Sequence, residues 1–250
     1  MSVPFQTAVV TGASRGFGRA IAAALVAAGT HVVGIARGEG DLRAAHAELG
    51  DGFVPIAADA ADETLAGQVI REHRPTLLVL NAGAVPHMAP VHEQTWETFS
   101  HNWHTDTRHV FSWTREALRA PLDPGSVVVV MSSGAVLAGS PLSGGYASAK
   151  AAARYIGRYA AAESERAGLG IRFLTLLPQL TPAAGVGAAG VAGYAAAQGV
   201  DPDTFTEGLQ PILTPDQVAK AVLELAGDAG SAAEYQLGGT GSRPLTSTVD

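Results

Sequence analysis

Residues Thr7-Ala8-Val9-Val10-Thr11-Gly12-Ala13-Ser14-Arg15-Gly16-Phe17-Gly18 run from a short apolar segment straight into a glycine-rich turn. The apolar half reads as a strand, and Arg19–Ala28 beyond the turn has helix-forming composition. A glycine lets the chain bend where a Cβ would block it. Small residues at such a turn let the main chain approach a pyrophosphate, whose charge then rests on the helix N-terminus. The spacing is G-x-x-x-G-x-G rather than the commoner G-x-G-x-x-G. On glycines alone the turn is either a phosphate cradle or a place where helix and strand pack closely.

Working outward, the same alternation repeats. Thr7–Val10, His31–Ala36, Phe53–Ala57, Thr76–Leu80, Ser126–Met131 and Ile171–Leu177 are short, apolar and bounded by Gly, Pro or polar residues. They read as strands buried on both faces, as in a parallel sheet. Helical composition fills Arg19–Ala28, Asp41–Glu48, Asp62–His73, Thr95–Arg119, Tyr146–Arg166 and Thr214–Ala226. The acidic pair Asp62-Glu63 stands at a helix start, where the macrodipole favours it. Strand–helix alternation predicts an α/β fold, a Rossmann-type doubly wound parallel sheet with helices on both faces. No linker, repeat or charge run divides the chain, so residues 1–250 are expected to form a single domain. The Ala/Gly-biased stretch from 181 to 199 reads as a loop or a helix pair, and 181–213 as a substrate-binding loop or lid.

Composition narrows the function classes. The chain has 250 residues, 47% hydrophobic and only 16% charged. That charged share lies below the roughly 25% of ordinary domains and, with so much apolar sequence, excludes global disorder. A net charge of −7 argues against nucleic-acid partners, which need a basic surface. Without cysteine there are no disulfides, thiol nucleophiles or Cys-type zinc sites. Met1–Phe5 lacks a charged n-region and an apolar h-region, so no secretory leader is expected. No apolar run reaches the roughly 20 residues of a membrane span. A reducing cytoplasm fits these features.

Two further features bear on chemistry. The second strand ends Gly34-Ile35-Ala36-Arg37, without the acid that NAD-binding folds place there for the ribose 2′-hydroxyl. Arg15 and Arg37 suit a 2′-phosphate, which favours NADP over NAD. Tyr146-Ala147-Ser148-Ala149-Lys150 sets a phenol and an ammonium one helical turn apart. A nearby positive charge favours a phenolate, so such a pair moves a proton to or from an alkoxide near neutral pH. Ser133, thirteen positions before Tyr146 at a strand end, offers a hydroxyl to the same oxygen, with Ser132 as its competitor.

Taken together, Thr11–Gly18, Asp59, Asn81-Ala82-Gly83, Ser133 and Tyr146 with Lys150 resemble the short-chain dehydrogenase/reductase family, in its compact single-domain branch. The resemblance covers nearly the whole chain. It implies hydride transfer between NADP(H) and a carbonyl or secondary alcohol on a small molecule. Tyr146 would be the acid/base, Lys150 its electrostatic support, and Ser133 the group that polarises the carbonyl. Gly12, Ser14, Arg15, Gly16, Phe17 and Gly18 would surround the pyrophosphate and adenosine ribose, with Asp59 and Ala60 bordering the adenine. Asn81, Ala82 and Gly83 would steady the sheet centre and touch the ribose, and Pro178, Gln179 and Thr181 would complete the cofactor site. A cofactor-binding sensor without turnover is the competing function.

The chain departs from the family pattern in three places. The helical Asn that relays protons in the family has its slot on Asp106 when counted back from Phe111, and near Asn102 or Trp103 when counted forward from Trp96. Asp106 is preferred and would bring an acid into the relay. Gln179 follows Pro178 where the family often has Gly, and the family's C-terminal Asp-Gly-Gly appears only as Leu237-Gly238-Gly239. His101, His104 and His109 share a helix with Asp106 but match no metal motif, so no metal is expected. Pro86, His87, Met88, Leu142, Tyr194 and Phe205 are candidates for the substrate pocket. The Ala-rich helix Tyr146–Arg166 is smooth on several sides, which predicts a homo-oligomer, a dimer or tetramer.

Overall fold

The computed structural model describes residues 5–183 and 185–245. The first four residues, on which the reading of a missing leader mostly rests, lie outside the described part, as do 184 and 246–250. Eight strands form one sheet in the order β3-β2-β1-β4-β5-β6-β7-β8. They are β1 (Thr7–Thr11), β2 (His31–Ala36), β3 (Phe53–Ala57), β4 (Leu77–Leu80), β5 (Val127–Met131), β6 (Arg172–Pro178), β7 (Glu234–Gly238) and β8 (Gly241–Pro244). All neighbours through β7 are parallel, and β8 closes the edge antiparallel. The central strands β4 and β5 are buried at every position, whereas edge strand β3 alternates. That is the pattern of a sheet covered on both faces.

Successive side chains feed two cores. Ala8 and Val10 of β1 join Ile21 and Leu25 of α1 (Gly16–Ala27), Leu42 of α2 (Glu39–Leu49) and Val222. Val9 between them joins the opposite core, with Val69 and Ile70 of α3 (Leu65–His73). Three more helices pack along the chain on that side: α4 (Trp96–Asn102), α5 (Arg108–Arg119) and, after the short α6 (Ala135–Ala138), the long α7 (Gly144–Arg166). Trp113 of α5 is fully buried there, and its indole N–H donates to the Ala60 carbonyl at 2.9 Å. Residues 185–198 form α8 and Pro202–Glu207 form α9, before α10 (Pro215–Gly227). The Ala/Gly-biased stretch from 181 to 199 therefore holds one helix, α8, and α9 lies beyond it.

The expectation of one continuous helix over Thr95–Arg119 is corrected. A wide π-helical turn at Trp103–Thr107 separates α4 from α5. It re-phases the helix between Trp96 and Phe111. The helix expected at Asp62 starts at Leu65, because the Asp62 carboxylate accepts from the Thr64 N–H and hydroxyl and holds a turn there. These bonds also hold the Asp62 carboxyl below the usual carboxylate range. Far from the cleft, Arg154 and Arg158 of α7 each donate two hydrogen bonds to Glu234 at the start of β7. Burial alone would push that carboxyl up; Arg158 and Arg154 outweigh it and hold it at about 2.

Candidate active site

In this fold β2 lies on one side of β1 and β4 on the other. Chain order reverses there, and the crevice at the carboxyl ends of such strands is where open α/β sheets bind ligands. A cleft of about 760 Å³ occupies it.

One end is the glycine turn. Gly12 has φ +68°, and a Cβ there would lie 2.9 Å from Asn81 Nδ2 and 3.1 Å from Ala82 Cα. Only glycine meets both demands. Gly12, Ser14, Arg15, Gly16 and Phe17 line the cleft. Gly18 is buried beneath them, where a Cβ would stand 2.2 Å from the Gly12 carbonyl oxygen. It lets the turn lie on its own helix. Arg15, the N-cap of α1, places no side-chain hydrogen bond on the helix end, so the first N–H groups remain open to an anion. The neighbouring strand ends complete this region. Arg37 follows β2, Asp59 and Ala60 follow β3, and all three line the cleft. The Asp59 carboxylate accepts from the Ala61 N–H at 3.0 Å. Among the described residues neither Arg15 nor Arg37 has an ion-pair partner. A cradle closed to any Cβ, an uncapped helix end and two unpaired guanidiniums fit a phosphorylated dinucleotide. Asp41, in the first turn of α2, also lines this end. Only the strand-end position was considered for an acid, so the helix-start acid four residues beyond Arg37 was missed.

The middle of the cleft is fixed by hydrogen bonds. Asn81 donates from its side chain to the Thr11 carbonyl at 3.0 Å, and its main-chain N–H donates to Thr11 Oγ1 at 2.9 Å. Ala82 N–H reaches the same hydroxyl at 3.1 Å, which ties β4 to β1 where they open into the cleft. Asn102 and Asp106 grip the next residues. Asn102 Nδ2 donates to the Ala84 carbonyl at 2.9 Å, and Ala84 N–H donates to Asp106 Oδ1 at 2.9 Å. A Cβ at Gly83 would come 3.0 Å from Asp106 Oδ2.

Ser133, Tyr146 and Lys150 all line this cleft. Lys150 Nζ donates to the Met131 carbonyl at 3.1 Å and lies 3.4 Å from Asp106 Oδ2. It sits 5.8 Å from the centroid of the Tyr146 ring. Burial works against its charge, but Asp106 and Tyr146 prevail and raise the ammonium above its ordinary value. Lys150 therefore stays a cation inside the protein. Asp106 lies behind it, off the cleft wall, and Asn102 is spent on Ala84. Ser132 is spent too, since its hydroxyl donates to the Lys150 carbonyl at 2.9 Å. Ser133 Oγ only accepts, from the Ala135 N–H at 3.2 Å, which leaves its proton to donate elsewhere.

His109 is buried in the cleft wall beside Trp113. Burial and then the Lys150 charge lower it to about 3, the Ala82 main chain opposing them without reaching hydrogen-bond geometry. His101 and His104 are exposed on the other side, and no set of metal-ligating residues assembles among the described residues.

After β6, Pro178, Gln179 and Thr181 line the cleft. Gln179 donates to the Pro211 carbonyl at 3.1 Å, and the buried Thr181 hydroxyl donates to the Leu213 carbonyl at 2.7 Å. Of the proposed pocket residues Pro86, Tyr194 and Phe205 line the cleft; His87, Met88 and Leu142 do not. Ser140 and Ser143 line it as well and were missed, because a Gly/Pro/Ser loop carries no periodic signal.

Residues 6–197 match the family described as short chain dehydrogenase, and the chain belongs to that family. It is 33% identical to L-xylulose reductase of Mesocricetus auratus over 130 residues, 51% of this chain and 53% of that protein. It is 33% identical to carbonyl reductase [NADPH] 2 of Sus scrofa over 128 residues, 50% and 52% of the two chains. The chain thus spans about half the length of these relatives. The crystal structure of levodione reductase superposes with a TM-score of 0.82 at 21% identity, covering 94% of this chain and 96% of that one. No helix among the described residues is long and apolar enough to cross a membrane.

Proposed function

We propose that the protein is an NADP-dependent oxidoreductase that interconverts a carbonyl and a secondary alcohol on a small molecule. The observation that carries this reading is one cleft lined both by Ser133, Tyr146 and a buried, charged Lys150 and by an open glycine cradle. When bound, the nicotinamide supplies or accepts the hydride. Gly12, Ser14, Gly16 and the free N–H groups of α1 hold the pyrophosphate. Arg15 and Arg37 favour a 2′-phosphate, with Asp41 and Asp59 as the opposing charges at that end. Ser133 donates its proton to the substrate oxygen. Tyr146 gives its phenolic proton to that oxygen in reduction and takes it back in oxidation. Lys150, anchored by Asp106 and Met131, stabilises the phenolate left behind. Residues 181–213 act as the lid.

Two properties accompany this reading. Phe111, Tyr155 and Tyr159 leave aromatic surface exposed on α5 and α7, which a second copy of the chain would cover, so the protein is assigned as a homo-oligomer. A strictly monomeric mass in light scattering refutes that. The cysteine-free chain is assigned to the cytoplasm.

The test is Tyr146→Phe assayed for NADPH oxidation over a panel of ketones. Turnover should fall by about 10²–10⁴-fold while NADPH binding persists. Undiminished turnover refutes the mechanism. Tight NADPH binding with no turnover in the unaltered protein points instead to a sensor.

A further inference from the structure

The half of the cleft built by the loops after β4 and β5 and by α8–α9 carries no charged side chain among the described residues. Pro86, Ala138, Pro141, Leu180, Tyr194 and Phe205 line it. The charged groups of the same cleft lie elsewhere. Arg37, Asp41 and Asp59 belong to the β1–β3 end. Arg15 reaches only the start of α8, where a Cβ on Gly185, nine residues before Tyr194, would lie 3.9 Å from its guanidinium carbon. Lys150 is packed against the Tyr146 ring. Helix α8 faces this half with Gly187, Gly190 and Tyr194, three and four residues apart and so on one helix face. In that row only Tyr194 projects a side chain; the two glycines let the helix lie directly against the Thr181 main chain and Leu180, which an added Cβ at either position would meet.

The Tyr194 ring lies nearly parallel to Phe205, at 11° with centroids 6.2 Å apart. Its hydroxyl is 2.6 Å from Ser140 Oγ, which is 2.6 Å from Ser143 Oγ. This hydroxyl chain ends three residues before Tyr146. The polar end of the phenol is thereby satisfied by the β5–α7 loop, and what remains for a ligand is hydrocarbon.

We propose that this half selects an uncharged ketone or secondary alcohol with a cyclic hydrocarbon body, packed against Tyr194 and Phe205, and rejects substrates bearing a carboxylate or phosphate. The proposal rests on the reading of the cleft as a carbonyl-reducing site. A carboxylate entering here gives up its water and meets no cation in return. A ring buries apolar surface against two aromatic rings at no such cost.

The test assays the NADPH-loaded protein with 2-tetralone, with 4-oxopentanoate and with butane-2,3-dione, a carbonyl too small to need an apolar wall. The expected kcat/KM for 2-tetralone is about a hundred-fold above that for 4-oxopentanoate. Tyr194→Ala should shrink that ratio about ten-fold, chiefly through the KM for 2-tetralone, and Tyr194→Phe, which keeps the ring, should preserve it. NADPH binding by each variant identifies any loss of fold. Turnover of butane-2,3-dione with an equal or inverted ratio, or a ratio that Tyr194→Ala leaves intact, overturns this proposal alone. NADPH binding with no turnover of any of the three overturns the carbonyl reading and this proposal with it.

Discussion

Around the glycine turn, main chain and side chains are joined by direct bonds. Thr11 alone links β1 to Val79, Asn81 and Ala82, and Asn102 with Asp106 holds both main-chain groups of Ala84. Across the cleft, α8 is built from Gly, Ala and Val with one tyrosine and one glutamine, and only Gly190, Val191 and Ala195 are buried. Its side-chain hydrogen bond to the β5–α7 loop is the one between Tyr194 and Ser140. The first region is shaped by a network of direct bonds, the second by packing that is close to main chain at Gly187 but meets only flexible side chains at Gly190 and Gly193. A site whose chemistry is constant and whose substrate is particular needs both.

The rigid side should break hardest. Asp106→Ala leaves Lys150 as a buried cation with only the Met131 carbonyl, and removes the acceptor of the Ala84 N–H. Losing one partner of a buried pair costs about 3–5 kcal/mol, read as a lower urea midpoint. Asp106→Asn keeps an acceptor for Ala84 and should lose less. If Asp106→Ala unfolds at the wild-type urea concentration, the rigid side is not held as described.

Acid is the next probe. His109 stays neutral in the fold down to about 3, against 6.5 for a free imidazole. Below 6.5 the unfolded chain therefore binds a proton that the native state refuses, so stability falls as pH falls. Between pH 6.5 and 4.5 the loss should reach about 2–3 kcal/mol, and His109→Gln should flatten it. Glu234, depressed to about 2 from 4.5, contributes above 4.5 and loses that contribution from there downward, so a residual slope below pH 4.5 should survive in the variant. A flat profile from pH 6.5 to 4.5 in the wild-type protein would show that His109 is solvated.

The same contrast explains what was legible in the sequence. Six strands were readable because parallel strands covered on both faces become continuous apolar runs. The seventh, Glu234–Gly238, begins with the acid that Arg154 and Arg158 neutralise, and the eighth is exposed throughout, so neither carries that signal. The turn from Gly12 to Gly18 and the Tyr146–Lys150 pair were legible because their chemistry dictates residue type at fixed spacing. Asp106 was harder, since the π-helical turn breaks the count that locates it. His109 shows no mark of burial in sequence, because its partners come from distant segments. Helix α8 was ambiguous, as Ala and Gly fit a helix or a loop and only the fold chooses.

The smallest effects separate the two regions most cleanly, because the same substitution is made in both. At Gly18 an added Cβ meets the Gly12 carbonyl oxygen at 2.2 Å, a main-chain atom that cannot turn aside. Gly18→Ala should therefore cost about 1–3 kcal/mol and weaken NADPH binding by moving the turn. At Gly190 the added Cβ meets Leu180 Cδ1 at 3.1 Å, the far end of a side chain that can swing away. Relief of glycine's entropy in a helix is worth about 0.5–1 kcal/mol, so Gly190→Ala should be neutral or slightly stabilising in thermal unfolding. Leu180, which that Cβ displaces, lines the cleft, so KM for a bulky ketone should rise while NADPH affinity holds. Equal destabilisation at the two positions would mean that α8 is packed as tightly as the turn, and the contrast between the halves would fall.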